Sequence, residues 1–170
     1  MINNWNNSFK LLLASEGGYA ELKGDSGGKT NLGVTQAVWE NWVGHVSGEK
    51  EMRSLTPEMV EPLYKKKYWD AVRADELPAG LDYLMFDFAV NAGAGRAIKT
   101  LQSSVGATPD GGFGSMTMAA VQALNPQELI EKFSQAKEDF YRSLSTFPTF
   151  GKGWLNRVAE VKVKASGMLS

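Results

Sequence analysis

Two carboxylate residues near the start of the chain have the types and spacing for acid–base chemistry. Glu16 falls at the end of a predicted amphipathic helix, where the helix dipole and apolar neighbours both raise the pKa expected for a carboxyl group. A carboxyl group that keeps its proton near neutral pH can donate it to a glycosidic oxygen. Asp25 follows in a polar, glycine-rich loop, where it should stay ionised. A protonated and an ionised carboxyl group together are typical of sites that hydrolyse glycosidic bonds.

Small and polar residues surround these carboxyl groups. The two glycines after Glu16 leave space for a bulky polymer, and Thr30 and Asn31 offer short hydrogen-bonding groups that could hold a water near Asp25. The spacing alone also fits a surface glutamate after a helix and an aspartate that forms a turn. Both interpretations therefore stay open on these residues alone.

The composition excludes several other kinds of site. The 170-residue chain has no cysteine and one histidine, His45, so cysteine nucleophiles and thiolate zinc sites are excluded, and other zinc or serine–histidine sites are disfavoured. A formal net charge of −1 gives no support to nucleic-acid binding. Gly28-Lys29-Thr30 is similar to the end of a phosphate-binding loop, but Lys23 stands where that motif needs glycine. We expect no metal and no organic cofactor.

Apolar residues recur mostly at helical spacing, which predicts a mainly α fold. Thr35 and Thr56 are expected to cap helices, and Pro62 is expected to break or kink the helix that Thr56 begins. Residues 20–34 are predicted to form a loop or a small β-hairpin. The other helices are predicted at residues 3–15, 80–91, 94–105, 115–124, 125–145 and 153–168, with 80–91 the most buried.

The last part of the chain is basic. Residues 132–170 contain 7 lysines and arginines against 3 acidic residues, whereas residues 1–131 contain 11 against 16. Trp154, Val158 and Val161 form an apolar stripe on the predicted last helix. This helix could make weak contact with an anionic cell envelope. An ordinary packed helix with a solvated basic face is the favoured interpretation.

Two groups of motifs resemble glycoside hydrolase family 108, the phage and bacterial N-acetylmuramidases. The first group is Glu16-Gly17-Gly18-Tyr19, then Asp25-x-Gly-Gly-x-Thr-Asn-x-Gly-Val-Thr, then Tyr68-Trp69-Asp70 and Asp75-Glu76-Leu77-Pro78. The second group resembles the predicted peptidoglycan-binding unit that accompanies these enzymes. It comprises residues 86–96, Leu101-Gln102 and Pro109-Asp110-Gly111.

The resemblance covers nearly the whole chain and implies a lysozyme-like helical fold. It implies a muramidase region over residues 1–90 and a helical peptidoglycan-binding region over residues 91–170, packed into one globule. It also implies that Glu16 is the catalytic acid. Asp25, with Thr30 or Asn31, would orient a water or stabilise positive charge on the sugar. The interval between Asp25 and Thr30 is one residue shorter than in other phage lysozymes, and some related enzymes use glutamate alone, so both roles stay open.

Further residues are candidates for contact with the substrate, in addition to Asn31. Tyr19 and Tyr68 offer rings that can stack on sugar faces. Asp87 and Asn91 lie one helical turn apart, so they could line a glycan groove or form an internal hydrogen-bonded pair. For Trp69, core packing is the favoured role.

The resulting hypothesis is a phage-type endolysin that hydrolyses the β-1,4 bond between N-acetylmuramic acid and N-acetylglucosamine. Its partner would be peptidoglycan, not nucleic acid, and we expect a monomer. The N-terminal residues lack the features of a signal peptide, so we expect synthesis in the host cytoplasm and action on the periplasmic wall after release by another factor. A lytic transglycosylase acting on the same bond and a non-catalytic wall-binding protein are the alternatives.

Overall fold

Two compact units make up the described part of the chain. The computed structural model describes residues 4–21 and 28–169. The small unit is Asn6–Lys67, and the large unit combines the described residues of Met1–Trp5 and Tyr68–Ser170. The division expected from the sequence, near residue 90, assigns residues 68–90 to the catalytic region instead. The functional division into residues 1–90 and 91–170 stays a prediction.

The small unit has short helices around a three-stranded antiparallel sheet. Its elements, the first of which starts one residue before the unit, are α1 (Trp5–Ser15), β1 (Ala20–Glu21), β2 (Lys29–Asn31), β3 (Val34–Thr35), α2 (Gln36–Val43), α3 (Glu49–Arg53) and α4 (Pro57–Tyr64). In the sheet Ala20 lies opposite Thr30, and Asn31 lies opposite Val34. The small β-hairpin predicted within residues 20–34 is therefore confirmed. Its core includes Phe9, Leu12, Trp39, Met52 and Leu63.

Hydroxyl groups begin two of these helices, as the sequence predicts. The Thr35 side chain accepts a hydrogen bond from the Val38 amide at 3.2 Å, and Thr56 does the same for Met59 at 3.3 Å. The predicted break at Pro62 is wrong, because α4 continues through it to Tyr64, whereas a kink there stays a prediction. Fully buried side chains on both sides of the proline, at Val60 and Leu63, hold the helix despite the missing N–H group.

The large unit is a helical bundle. A π-helical turn over Lys65–Trp69 and two short 3-10 turns over Asp70–Val72 and Ala74–Glu76 lead into it. Its helices are α5 (Leu81–Ala92), α6 (Ala94–Ser104), α7 (Ser115–Gln122), α8 (Pro126–Ser143) and α9 (Phe147–Ser166). Helix α5 packs against α6, α8 and α9, and α8 packs along α9. All residues of Leu81–Ala89 are buried, so the expected central helix is confirmed.

Aromatic rings fill one end of the large unit's core. The Trp5 ring makes edge contacts with Trp69 and Phe86, with centroids 5.3 and 5.2 Å apart. Trp69 is 1 % exposed and donates its indole N–H to Asp75 at 2.8 Å. Trp69 is therefore a core residue with a satisfied polar atom.

Helix α9 packs through its apolar stripe. Val158 and Val161 are buried, and Trp154 stacks on Tyr141 of α8 with centroids 5.2 Å apart. On the polar face, Lys162 pairs with Glu131 at 2.5 Å. The favoured interpretation, a packed helix with a basic outer face, agrees with these contacts. None of the described helices has the length and apolarity needed to cross a membrane.

Candidate active site

Glu16 lies directly after the last residue of α1. Its backbone N–H donates to the Leu13 carbonyl at 3.1 Å, which closes the helix. The carboxyl group is therefore at the C-terminal end of a helix, where partial negative charge accumulates. The side chain is half-buried. This is the environment that the sequence predicts for Glu16.

A two-residue turn between β2 and β3 lies against the Glu16 side chain. Leu32 and Gly33 have φ angles of +54° and +79°, the signs that a type I′ hairpin turn requires. The Leu32 N–H donates to the Gly17 carbonyl at 3.1 Å and so holds the turn beside the end of α1. A Cβ atom on Gly33 would lie 3.0 Å from both Cγ and Cδ of Glu16. The backbone can approach the carboxyl group this closely because residue 33 has no side chain.

Tyr64 of α4 fixes the same turn from another direction. Its hydroxyl donates to the Leu32 carbonyl at 2.7 Å, and it lies 2.5 Å from the position that a Gly33 Cβ would take. Its ring is 1 % exposed and packs on Phe9 of α1, with centroids 5.7 Å apart. One tyrosine therefore connects the helix that carries Glu16 with the turn beside its carboxyl group. Tyr64 cannot be identified from the sequence, because no local pattern relates it to residues 32 positions earlier.

The other predicted site residues of the small unit differ in their surroundings. Asp25 lies outside the described residues. Thr30 is half-buried in β2. Asn31 is 6 % exposed and donates its side-chain amide to the Met52 carbonyl at 2.9 Å. Its amide thus joins β2 to α3 and supports the sheet that carries the turn, and its expected contact with a sugar stays a prediction.

Tyr19 is held by charged neighbours. Its hydroxyl donates to Glu21 at 2.8 Å, and the Arg53 guanidinium lies 4.0 Å from the ring centroid. Partial desolvation, followed by the hydrogen bond to Glu21, raises the Tyr19 pKa to about 12. Tyr19 is therefore a neutral hydroxyl at working pH. Arg53 covers one ring face, so only the opposite face can stack on a sugar.

The predicted substrate residues of the large unit lie in two places. Tyr68 belongs to the π-helical turn and is half-buried, and burial raises its pKa. Asp87 is 1 % exposed, and one of its oxygens accepts a hydrogen bond from Arg157 at 2.6 Å. Its other oxygen lies 3.5 Å from the Lys137 ammonium and accepts the Asn91 amide at 3.4 Å. Asp87 and Asn91 therefore form the internal hydrogen-bonded pair, Asn91 is exposed, and contact of either residue with the glycan stays a prediction.

A metal site is not formed by the residues that the structure describes. No group of three or more histidine, cysteine, aspartate or glutamate side chains converges among residues 4–21 and 28–169. A carboxyl group in this setting, with the Leu32–Gly33 turn beside its side chain, is of the kind that can transfer a proton.

A known family and a solved structure are similar to this chain. The family model described as glycosyl hydrolase 108 matches residues 9–93. The solved structure of Brucella abortus SagA is 36 % identical, with a TM-score of 0.88, and the match covers 97 % of this chain and 95 % of that one. No curated protein matches the chain.

The fold and the family match define a peptidoglycan-hydrolysing glycosidase with a mainly α, lysozyme-like fold. The chain belongs to glycosyl hydrolase family 108.

Proposed function

We propose that this protein hydrolyses the β-1,4 bond between N-acetylmuramic acid and N-acetylglucosamine, with Glu16 as the general acid. One observation carries the proposal: a half-buried carboxyl group at a helix C-terminus, with the Leu32–Gly33 turn packed against its side chain. A helix C-terminus and partial burial both favour the protonated form of a carboxyl group, and the adjacent turn restricts the orientation of the side chain. Both effects suit a proton donor.

The reaction follows from that placement. Glu16 donates its proton to the glycosidic oxygen while the bond from that oxygen to the sugar carbon breaks. A water then adds to the sugar carbon, and its proton passes to a carboxylate. Asp25, assisted by Thr30, is proposed to orient this water or to stabilise positive charge on the sugar. Tyr19 and Tyr68 are proposed to stack on sugar rings.

Replacing the proposed acid tests this function. Glu16→Gln keeps the shape of the side chain and removes the transferable proton, so we expect kcat to fall by about 10²–10⁴-fold with little change in Tm. The measurement is the release of reducing ends from purified sacculi. Glu58→Gln is the matched control, because Glu58 is exposed in the first turn of α4 and should be replaceable without loss. Near-normal activity of Glu16→Gln would contradict the assignment.

Product masses separate hydrolysis from its alternatives. Hydrolysis adds one water to each cleaved bond, whereas a lytic transglycosylase leaves an anhydro sugar without adding water. A non-catalytic wall-binding protein would bind sacculi and release neither product. Anhydro products would replace the proposed hydrolysis with transglycosylation on the same acid.

A role as a phage-type endolysin is the most specific part of the proposal. It rests on the resemblance of the Glu16–Tyr19 and Asp25–Thr35 motifs to phage enzymes. Expression inside a bacterium tests it: lysis should begin only when a second agent, such as chloroform, permeabilises the membrane. Lysis without such an agent would contradict the requirement for a separate release factor.

A further inference from the structure

Two residues other than glycine have a positive φ angle in the part of the chain that the structure describes, Leu32 at +54° and Arg73 at +55°. This conformation costs free energy in any residue with a side chain and is an outlier for a bulky one. Arg73 has a visible reason for its identity, because its guanidinium donates to Glu76 and to the Phe113 carbonyl. Leu32 has no polar side-chain group for such contacts, so leucine at this position needs another explanation.

The backbone of Leu32 is held from both sides. Its N–H donates to the Gly17 carbonyl at 3.1 Å, and its carbonyl accepts the Tyr64 hydroxyl at 2.7 Å. Any residue at position 32 supplies the same backbone groups, and a type I′ turn favours asparagine, aspartate or glycine there. The two hydrogen bonds therefore explain the conformation of residue 32, but they do not explain its leucine side chain.

Core packing accounts for only part of this side chain. Leu32 is half-buried, whereas Val34, two residues later, is 2 % exposed and belongs to the core. Gly33, between them, is exposed and borders Cγ and Cδ of Glu16. An apolar side chain is thus partly open to solvent, one residue from the glycine that borders the proposed acid. Strained residues that the surrounding structure holds in place are concentrated at functional sites.

We propose that Leu32 is a specificity-determining residue whose side chain contacts the acetamido methyl group of the sugar that binds beside Glu16. This inference rests on the proposed function, because its ligand is the N-acetylated glycan. Both kinds of sugar in that glycan carry an acetamido group, whose methyl end is apolar. Leucine can remove this methyl group from water by contact, whereas the asparagine or glycine that the turn favours offers it little apolar surface.

Leu32→Asn separates a contact with substrate from a structural role. It gives the turn a favoured residue and removes the apolar surface, so we expect kcat/KM on purified sacculi to fall about fourfold or more. The urea midpoint should be at least as high as that of the parent, because the strain is relieved. Leu32→Met keeps an apolar side chain and should retain most of the activity.

Val46→Asn is the matched control for this substitution. Val46 is an apolar residue of the same unit and is 88 % exposed, so the change should alter neither kcat/KM nor the urea midpoint. Unchanged kcat/KM in Leu32→Asn would overturn the inference. A fall in kcat/KM together with a lower urea midpoint would also overturn it, because leucine would then be required by the fold.

Two oligosaccharides test the contact with the methyl group directly. One is a soluble fragment of the glycan with its N-acetyl groups, and the other carries N-formyl groups, which keep the neutral amide and lack the methyl. Calorimetric titration uses the full chain with Glu16→Gln, so that neither is cleaved. We expect a preference of at least about fourfold for the N-acetyl form, and a loss of about that factor when Leu32→Asn is added. The same preference in both proteins, or no binding of either oligosaccharide, would overturn the inference.

The contact and the enzyme activity fail separately in this design. If the parent releases no product from sacculi but Leu32→Asn removes the preference for the N-acetyl form, the proposed hydrolysis is wrong and the contact stands. If product is released but Leu32→Asn changes neither kcat/KM nor the preference, the contact is wrong and the proposed hydrolysis stands.

Discussion

Gly33 is subject to two independent constraints. Its φ of +79° favours glycine, and the space where a Cβ would lie is already bordered by Tyr64 and Glu16. The first constraint concerns the hairpin turn, and the second concerns the position of the Glu16 carboxyl group, the proposed acid. A substitution at residue 33 should therefore affect activity more than stability.

Gly33→Ala separates these effects when it is compared with Gly44→Ala. Gly44 has nearly the same φ, +80°, but nothing lies within 4 Å of a Cβ there. Both variants should lose about 1 kcal/mol of unfolding free energy from backbone strain. Gly33→Ala should in addition lower kcat by about tenfold or more, because the new methyl group displaces Tyr64 or Glu16. Equal kcat values for the two variants would show that the close approach to Glu16 has no catalytic role.

Part of the candidate site at this scale can be predicted from the sequence. Glu16 and the glycine-rich segment are visible because helix ends and turns have local patterns. Tyr64 and the pairing of Asp87 with Lys137 and Arg157 are not visible, because each contact joins residues far apart in the chain. The same limit explains Asn31, whose partner in α3 no spacing rule indicates.

At the scale of elements, polar caps were the most dependable signals. Thr35 and Thr56 begin helices as expected, and the Asn125 side chain accepts the Glu128 amide at 2.8 Å to begin α8. Helix α9 starts at Phe147, earlier than the predicted residue 153. The glycine at 151 discourages a helix by propensity, yet a Cβ there would lie 2.5 Å from the Phe147 ring. Packing against Phe147 therefore requires glycine at position 151, and the same glycine makes the first turns of α9 hard to predict from the sequence.

Gln102 shows how one buried side chain can organise a loop. On α6 it is 1 % exposed, its oxygen accepts the Gly111 amide at 2.9 Å, and its nitrogen lies within 3.1 Å of acceptors on Asp110, Gly112 and Thr117. The loop between α6 and α7 thus uses a side chain in place of regular backbone pairing.

Gln102→Leu should therefore destabilise the large unit by about 1–3 kcal/mol, since the half-buried Gly111 amide and the buried Thr117 hydroxyl lose a partner. Urea unfolding measures the loss, and hydrogen exchange at residues 106–114 should become faster. Gln122→Leu, at an exposed position on α7, is the control and should change stability by less than about 0.5 kcal/mol. A Gln102→Leu protein as stable as the parent would mean that water replaces the glutamine.

At the scale of the whole molecule, the mainly α class follows from apolar periodicity. The ion pairs that Asp87 makes with Lys137 and Arg157 in the large unit cannot be predicted from that periodicity. Lys137 is fully buried, and burial lowers its pKa, opposed by the charge of Asp87. Because its folded pKa is below the ordinary 10.5, the unfolded chain binds more protons between these two values. Lys137 therefore contributes a stability that rises with pH across that window and falls as the pH is lowered.

Asp87→Asn should strengthen this pH dependence. Without the carboxylate, Lys137 and Arg157 lose their shared anion, and we expect a loss of about 3–5 kcal/mol at pH 7. The pKa of Lys137 falls further, so the variant should regain more stability between pH 7 and pH 10 than the parent does. Urea midpoints at the two pH values give the comparison, with Asp139→Asn, at an exposed position of α8, as control. Parallel pH profiles would show that Lys137 is neutral in both proteins.

The position of Trp5 affects which fragments of the protein contain the complete large unit. It is 4 % exposed and belongs to the large unit, although the next residue of that unit is Tyr68. A fragment expressed from residue 68 or from residue 91 lacks this indole, and the edges of Trp69 and Phe86 that it covers would face water. Such a fragment lacks part of its core. Its failure to fold or to bind the wall would therefore not test wall binding by the whole chain. A deletion variant in which a linker joins Trp5 to Tyr68 in place of residues 6–67 would isolate the bundle with this indole retained.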